Sequence, residues 1–367
     1  MTSGPVGVAL IGAGVISGQY IKNLTTFPDV RLLAIADLDV ERAAAVAVPY
    51  RVPVSGSVER VLAIPEVELV VNLTTPAAHA SVALAALEAG KHVYGEKPLT
   101  LDPASGEQLL AAAAARGLLI GNAPDTFLGA GIQSARRALR SGAIGAPMAA
   151  ATAVQGPGPE SWHPSPEFLF QIGAGPLFDL GPYYLTALVS LLGPVARVAA
   201  TARQARARRV IGSGPKAGTV FDVEVPTHVT ALIDLETGPG VISTFSFDSP
   251  LPRRMIEITG TEGTLSLPDP NTFEGPLRVR GAKDDDWREL PVSGPVAGRG
   301  LGVLDMARAL RGGAPHRASG TMALHVLETM AAIIDSAENG EFRAVESTAP
   351  IPAELPEDWD PFARTLG

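Results

Sequence analysis

The stretch Val8-Ala9-Leu10-Ile11-Gly12-Ala13-Gly14-Val15-Ile16-Ser17-Gly18 decides the fold. Val6–Ile11 reads as a buried strand, Gly12 to Gly14 as a tight turn, and residues 16–27 repeat apolar positions at helical spacing. Glycine at 12 permits the turn, and glycine at 14 lets the backbone approach a pyrophosphate. The helix start at Val15 and Ile16 offers free N–H groups and a partial positive charge. Ser17 takes the third position of the Gly-x-Gly-x-x-Gly pattern, with Gly18 beside it, and is small enough for close helix–sheet packing. The next strand, residues 31–36, ends at Asp37, whose carboxylate can accept from adenosine ribose hydroxyls and repel a 2′-phosphate. The expectation is a dinucleotide site that takes NAD in preference to NADP. The alternative is a glycine-rich strand–helix turn with a surface aspartate.

Outward from this stretch, strand and helix patterns alternate. A helix is expected over 40–48, a strand over 68–73, a helix over 77–88, a short strand over 92–94, a helix over 103–115 and a strand over 118–121. Such alternation predicts a doubly wound parallel sheet covered by helices. After about Asn122 the pattern changes. A helix over 132–140 precedes strand-like runs at 148–155, 195–204, 227–235, 240–247, 255–259, 265–267 and 277–280, separated by turn signals. One helix, 176–192, interrupts them, and two late helices, 301–310 and 321–340, follow. The fold class is therefore α/β: a Rossmann domain over 1–123 and a second α/β domain over 124–367, with a large, mainly antiparallel open sheet. The proline-rich tail from Pro350 is expected at the surface.

Bulk properties narrow the function. The chain has 367 residues, 46% hydrophobic and 18% charged, which suits two folded domains. A net charge of −9 argues against a nucleic-acid partner, whose phosphates require a basic surface. Cysteine is absent, which removes disulfides and thiolate chemistry and suits the cytoplasm. The start Met1-Thr2-Ser3-Gly4-Pro5 lacks a basic region, and no apolar run approaches a membrane span of about 20 residues. The six histidines are scattered, so no metal site is expected.

Two further clusters carry chemistry. Thr74-Thr75-Pro76 follows a strand at the carboxyl edge of the sheet, where hydroxyls can reach pyrophosphate or ribose, and His79 lies on the first helical turn beyond. For His79 a cofactor contact and a locally satisfied helix residue both remain open. Glu96-Lys97-Pro98 follows the strand 92–94. A lysine at that edge, beside a nicotinamide, can steer a substrate hydroxyl and stabilise charge during hydride transfer.

Gly12-Ala13-Gly14, Thr75-Pro76 with His79, Glu96-Lys97-Pro98 and the turn Gly260-Thr261-Glu262-Gly263 together resemble the glucose–fructose oxidoreductase, inositol dehydrogenase and rhizopine catabolism family, Gfo/Idh/MocA. The resemblance implies an NAD-dependent oxidoreductase acting on sugars, sugar derivatives or cyclitols. It also implies homodimers or homotetramers formed through the second sheet. The family's second motif has an Asp and, four residues on, a His. Here Asp179 takes the first place, Tyr183 stands for the histidine, and Thr186 stands where a second Asp is common. A helix would put 179 and 183 on one face, although Pro182 interrupts it.

Histidine titrates near about 6.5 and phenol near about 10, so Tyr183 acting as a base calls for a cation such as Lys97 to favour phenolate. Asp179 would then orient substrate or lysine. In a competing version Lys97 or a water handles the proton and Tyr183 positions substrate, and in a third Tyr183 is a packed aromatic. Trp162 and His163, in a Pro- and Gly-rich loop, are candidate sugar contacts or lid anchors. Asp125-Thr126-Phe127 stands where members often carry an Arg, and Asp125 and Thr126 are candidate polyol ligands. His228 reads as structural. Two other functions remain open: a redox-neutral, NAD-assisted glycoside-processing enzyme, and a dinucleotide-bound sensor.

Overall fold

The computed structural model describes residues 3–367, so the reading of the N-terminus at Met1 and Thr2 lies outside it. The first half runs β1 (Val6–Ile11), α1 (Ser17–Leu24), β2 (Val30–Ala36), α2 (Val40–Ala47), β3 (Val54–Gly56), α3 (Val58–Leu62), β4 (Leu69–Asn72), α4 (His79–Glu88), β5 (His92–Gly95), α5 (Pro103–Ala114) and β6 (Ile120–Asn122). The strands form one parallel sheet in the order β3-β2-β1-β4-β5-β6. This is the doubly wound order, with its switch point between β1 and β4. Every residue of β1 and β4 is buried, as parallel strands covered on both faces require.

Local signals set the helix starts. Asp39 accepts from the Arg42 amide (3.0 Å) to cap α2, Ser57 caps α3, and Asp102 caps α5 ahead of Pro103 at its first position. Gly12 has φ +103°, and a Cβ there would lie 2.6 Å from the Leu73 carbonyl. No other residue type fits that crossing of β1 against the end of β4.

The second half runs α6 (Ala130–Arg140), β7 (Pro147–Gln155), α7 (Gly175–Leu192), β8 (Val195–Arg203), β9 (Arg208–Val210), β10 (Val220–Asp222), β11 (His228–Leu235), β12 (Gly240–Ser246), β13 (Arg253–Gly260), β14 (Gly263–Leu267), β15 (Leu277–Gly281) and β16 (Arg288–Leu290). It ends with α8 (Leu301–Gly312), α9 (Gly320–Asn339) and β17 (Arg343–Ala344). The large sheet has the order β16-β15-β14-β13-β7-β12-β11-β8-β17. Its pairs are antiparallel except β7 with β12, which is parallel. Helix α7 packs on β7, β11 and β12 and continues through Pro182. Proline has no N–H and cannot donate to the carbonyl four residues back, so the helix persists there because its burial outweighs the lost bond.

The chain divides into two compact units, and the division is not a single cut. The first takes residues 1–133, 293–324 and 352–367, and the second takes 134–292 and 325–351. α8 belongs with the parallel sheet because its stripe Leu301, Val303, Leu304 and Met306 is fully buried. The tail is exposed over much of its length but pinned at intervals. The Leu355 amide donates to Gln133 (3.0 Å), and Asp29 accepts from the amides of Thr365 and Leu366, each at 2.9 Å. Turn residues and prolines conceal those anchors in the sequence.

Candidate active site

The cofactor cradle belongs to the first unit. The Gly12 amide donates to the Ala36 carbonyl (2.8 Å), joining the turn to the end of β2. The Ala13 amide donates to Asp37 Oδ2 (2.7 Å), and Asp37 Oδ1 accepts from the Asp39 amide (2.9 Å) and from Arg42 (2.5 Å). Burial pushes the Asp37 carboxyl up, but Arg42 and the two amides outweigh it and hold it below the usual carboxylate range. It is therefore ionised at neutral pH.

Above Gly14 the space is open, with no atom within 4 Å of where a Cβ would stand, and Val15 and Leu38 lie fully exposed. Ser17 is buried and its hydroxyl donates back to the Gly14 carbonyl (2.7 Å). This turn, helix start and carboxylate fit a dinucleotide: backbone approach at Gly14, amides of Val15 and Ile16 for pyrophosphate, and Asp37 for the ribose.

At the end of β4, Thr74 is tied to Asn72 through its amide (3.2 Å) and hydroxyl (2.7 Å), while Thr75 and Pro76 are exposed. Of the two readings of His79, the geometry is that of a locally satisfied residue. Its ring is buried, Nδ1 lies 2.6 Å from the Pro98 carbonyl, and Nε2 lies 3.1 Å from the Thr74 carbonyl. Burial lowers its pKa, opposed by the two carbonyls, and the ring lies between the Thr74 loop and the segment after Lys97; a neutral ring donates to one of these carbonyls at a time.

Glu96 is buried and gripped from two sides. Tyr20 donates to its Oε1 (2.7 Å) and the Lys97 amide to its Oε2 (3.1 Å). Burial and the nearby Glu96 charge push the Tyr20 hydroxyl far up, so it stays protonated and donating. Lys97 is half-buried and precedes a cis peptide bond to Pro98.

Asp125 and Thr126, expected at the substrate, are both buried instead. Asp125 Oδ2 accepts from the amides of Gly300 (2.8 Å) and Gly302 (3.1 Å), supplying the cap that Gly300 lacks at the start of α8. Burial raises its carboxyl above the usual range, opposed by Arg299 at 3.9 Å and by the two amides. A fully enclosed carboxylate offers no edge to a diffusing polyol.

The second unit contains a cavity of about 550 Å³. Asp179 and Tyr183, one turn apart on α7, both line it, and Trp162 stands at its edge, 67% exposed. His163 is not among its lining. It packs edge-on against Trp162 and Phe168, each at 5.5 Å, and its Nδ1 accepts from the Ser165 amide (3.0 Å), which is the anchoring alternative. His228 meets Ser246 (3.0 Å) in a strand pair. Four lining residues are missed by sequence reasoning: Tyr184, Arg254, Asp269 and Asn271. Asp269 accepts from the Asn271 amide (3.0 Å) and pairs with Arg254 (3.3 Å). Burial and Asp269 push the Tyr184 hydroxyl far up. The available signal is Pro268-Asp269-Pro270-Asn271, which reads as an ordinary turn. Among the described residues no group of three or more His, Cys, Asp or Glu could hold a metal, and no helix is long and apolar enough to cross a membrane.

Known proteins share this pattern. Residues 6–123 match the model of an oxidoreductase family with an NAD-binding Rossmann fold, and residues 132–266 match the GFO/IDH/MocA C-terminal domain. The chain is 25% identical to 1,5-anhydro-D-fructose reductase of Ensifer adhaerens, over 92% of this chain and 98% of that one. It is 27% identical to inositol 2-dehydrogenase 3 of Saccharopolyspora erythraea, over 77% and 80%. A solved structure of levoglucosan dehydrogenase in complex with NADH and L-sorbose has the same fold, with a TM-score of 0.81 and 21% identity over 94% of this chain and 100% of that one. With a glycine turn and acid-ended strand in one unit and a second matched domain after it, the chain belongs to the Gfo/Idh/MocA family and is an NAD-binding oxidoreductase.

Proposed function

We propose that this enzyme moves hydride between NAD and a carbinol or carbonyl carbon of a sugar, sugar derivative or cyclitol bound in the cavity of the second unit. The observation that carries this reading is the shared cavity of Asp179 and Tyr183, with an exposed indole, Trp162, at its edge. Two oxygen groups one helical turn apart suit adjacent substrate hydroxyls, and an aromatic face suits the apolar side of a sugar ring. The names of the relatives, an anhydrofructose reductase and an inositol dehydrogenase, support a polyol substrate.

In the oxidative direction the substrate carbon gives up hydride and its oxygen gives up a proton. NAD, when bound, supplies the hydride acceptor. Gly12, Gly14 and the amides of Val15 and Ile16 would hold its pyrophosphate, with Thr75 and Pro76 alongside, and Asp37 its ribose. Tyr183 would take the proton as the phenolate that a cation such as Lys97 favours, and Asp179 would orient the substrate hydroxyl. Substrate binding and self-association fall to the second domain, where exposed Leu232 and Ile242 face one another across β11 and β12 and support a homodimer or homotetramer through that sheet.

The test is a turnover screen of levoglucosan, myo-inositol, 1,5-anhydro-D-fructose and L-sorbose, with NAD(H) and NADP(H) in parallel. Reaction with at least one of them and NAD(H) is expected. Failure with all four would remove the polyol reading.

A further inference from the structure

We propose that Arg209 is a positioning residue for the substrate cavity, holding two of its walls in register from behind. This rests on the cavity being the substrate site.

The guanidinium is almost completely enclosed, with its side chain 1% exposed. It pairs with Glu160 on one side and Asp248 on the other. It also donates to the carbonyls of Pro157 (3.2 Å) and Phe247 (3.1 Å), and its face lies 5.0 Å from the centre of the Phe170 ring. Pro157 and Phe247 themselves line the cavity, and Glu160 sits between the lining residues Pro159 and Ser161. Glu160 belongs to the single 3₁₀ turn Pro159–Ser161, whose next residue is Trp162. The Trp162 amide donates to the Pro159 carbonyl (3.1 Å), so the turn that Arg209 grips also carries the exposed indole. Asp248 is fixed in turn by the Thr227 hydroxyl (2.5 Å), and the Gly212 amide donates to the Glu160 carbonyl (2.7 Å).

One planar cation thus reaches four acceptors on two separate segments. A lysine ammonium cannot do this, because its three donors radiate from one nitrogen. A loop rich in glycine and proline has no sheet or helix ladder to hold it. Arg209 supplies that constraint without touching the cavity, which separates its role from those of Asp179 and Tyr183. The expected signature is a loss of substrate affinity with the chemical step and dinucleotide binding preserved.

The experiment uses the full chain and whichever polyol of the four-member screen has the highest kcat/KM. Arg209→Lys and Glu160→Ala are each expected to raise KM about tenfold, with kcat within about threefold. NADH affinity, read by its fluorescence, is expected to stay unchanged, and amide exchange over residues 156–162 to accelerate. Glu160→Gln keeps an acceptor at the same place and is expected to show a smaller rise in KM, and it decides the matter if Arg209→Lys does not fold. Trp162→Ala combined with Glu160→Ala should raise KM no further than the larger single effect, because both act through the same turn. Unchanged KM despite faster exchange, or kcat, KM and NADH affinity all worsening together, overturns the positioning role. Trp162→Ala separates the two claims. If it leaves KM unaltered the cavity is not the substrate site and both claims fall. If it raises KM while the Arg209 and Glu160 variants do not, only the clamp falls. A screen in which no polyol reacts also overturns both.

Discussion

Tyr20 on α1 donates its hydroxyl hydrogen to Glu96 Oε1 across 2.7 Å, linking the helix that follows the glycine turn to the carboxylate that precedes Lys97. Both partners are buried, so the bond has no solvent substitute. Tyr20→Phe should cost about 1–3 kcal/mol of unfolding free energy, because a buried carboxylate oxygen loses its donor. Urea unfolding at neutral pH measures it. A change below a few tenths of a kcal/mol would show that Glu96 finds another donor.

Replacing Tyr183 with Phe removes the hydroxyl and keeps the ring. If the phenol transfers the proton, kcat should fall by ~10²-fold or more while NADH binding is unchanged. Steady-state kinetics with the best polyol reads it. Turnover near that of the unaltered enzyme would leave Tyr183 as a wall of the cavity and nothing more.

Asp37 occupies the Arg42 guanidinium as well as the turn. Asp37→Ser should remove the charge that repels a 2′-phosphate and release Arg42, itself 53% exposed, to meet one. The ratio of kcat/KM for NADP over NAD should rise by about tenfold or more. An unchanged ratio would mean that discrimination lies elsewhere in the cradle.

Asp29 gives a pH prediction. Burial pushes its carboxyl up, but the Leu366 and Thr365 amides, the Thr365 hydroxyl and Arg308 together hold it below the usual value. A carboxyl whose folded pKa is depressed stabilises the fold above its unfolded value of about 3.9 and loses that contribution as pH falls through the folded value. Asp29→Asn should therefore cost about 1.5–3 kcal/mol at pH 7 and flatten the acid limb of stability below pH ~4. Thermal unfolding from pH 3 to 8 checks both. Parallel curves for the two proteins would contradict the assignment.

Some of this is legible in the residues, and the rest is not for identifiable reasons. β1 and β4 are readable because a strand buried on both faces must be an unbroken apolar run, and Gly12 and Asp37 bracket the first pair. β3, β9, β10 and β16 are three residues each, too short for any period to register. Asp125 looks like a loop acid free to bind a ligand, yet its partners Gly300 and Gly302 lie 175 and 177 positions away. His79 keeps two readings open in the sequence for a related cause: its ring meets carbonyls that carry no side-chain signature. Asp179 and Tyr183 are readable because helical spacing is local, whereas Arg254 reaches the same cavity through its register opposite Val154 and Asp269 through the turn after β14.

The return of the chain to Asp29 has a consequence for synthesis. The glycine turn and its strands are synthesised well before the tail, and Asp29 acquires its last amide partners from residues 336 and 337 positions later. The seat of α8, capped by Asp125, is likewise filled only after strands β7 to β16 have been made. A fragment ending at the first domain's apparent boundary would expose that apolar seat and leave the Asp29 carboxylate without its donors. The nucleotide-binding half is therefore a discontinuous folding unit, finished after the half that follows it in sequence.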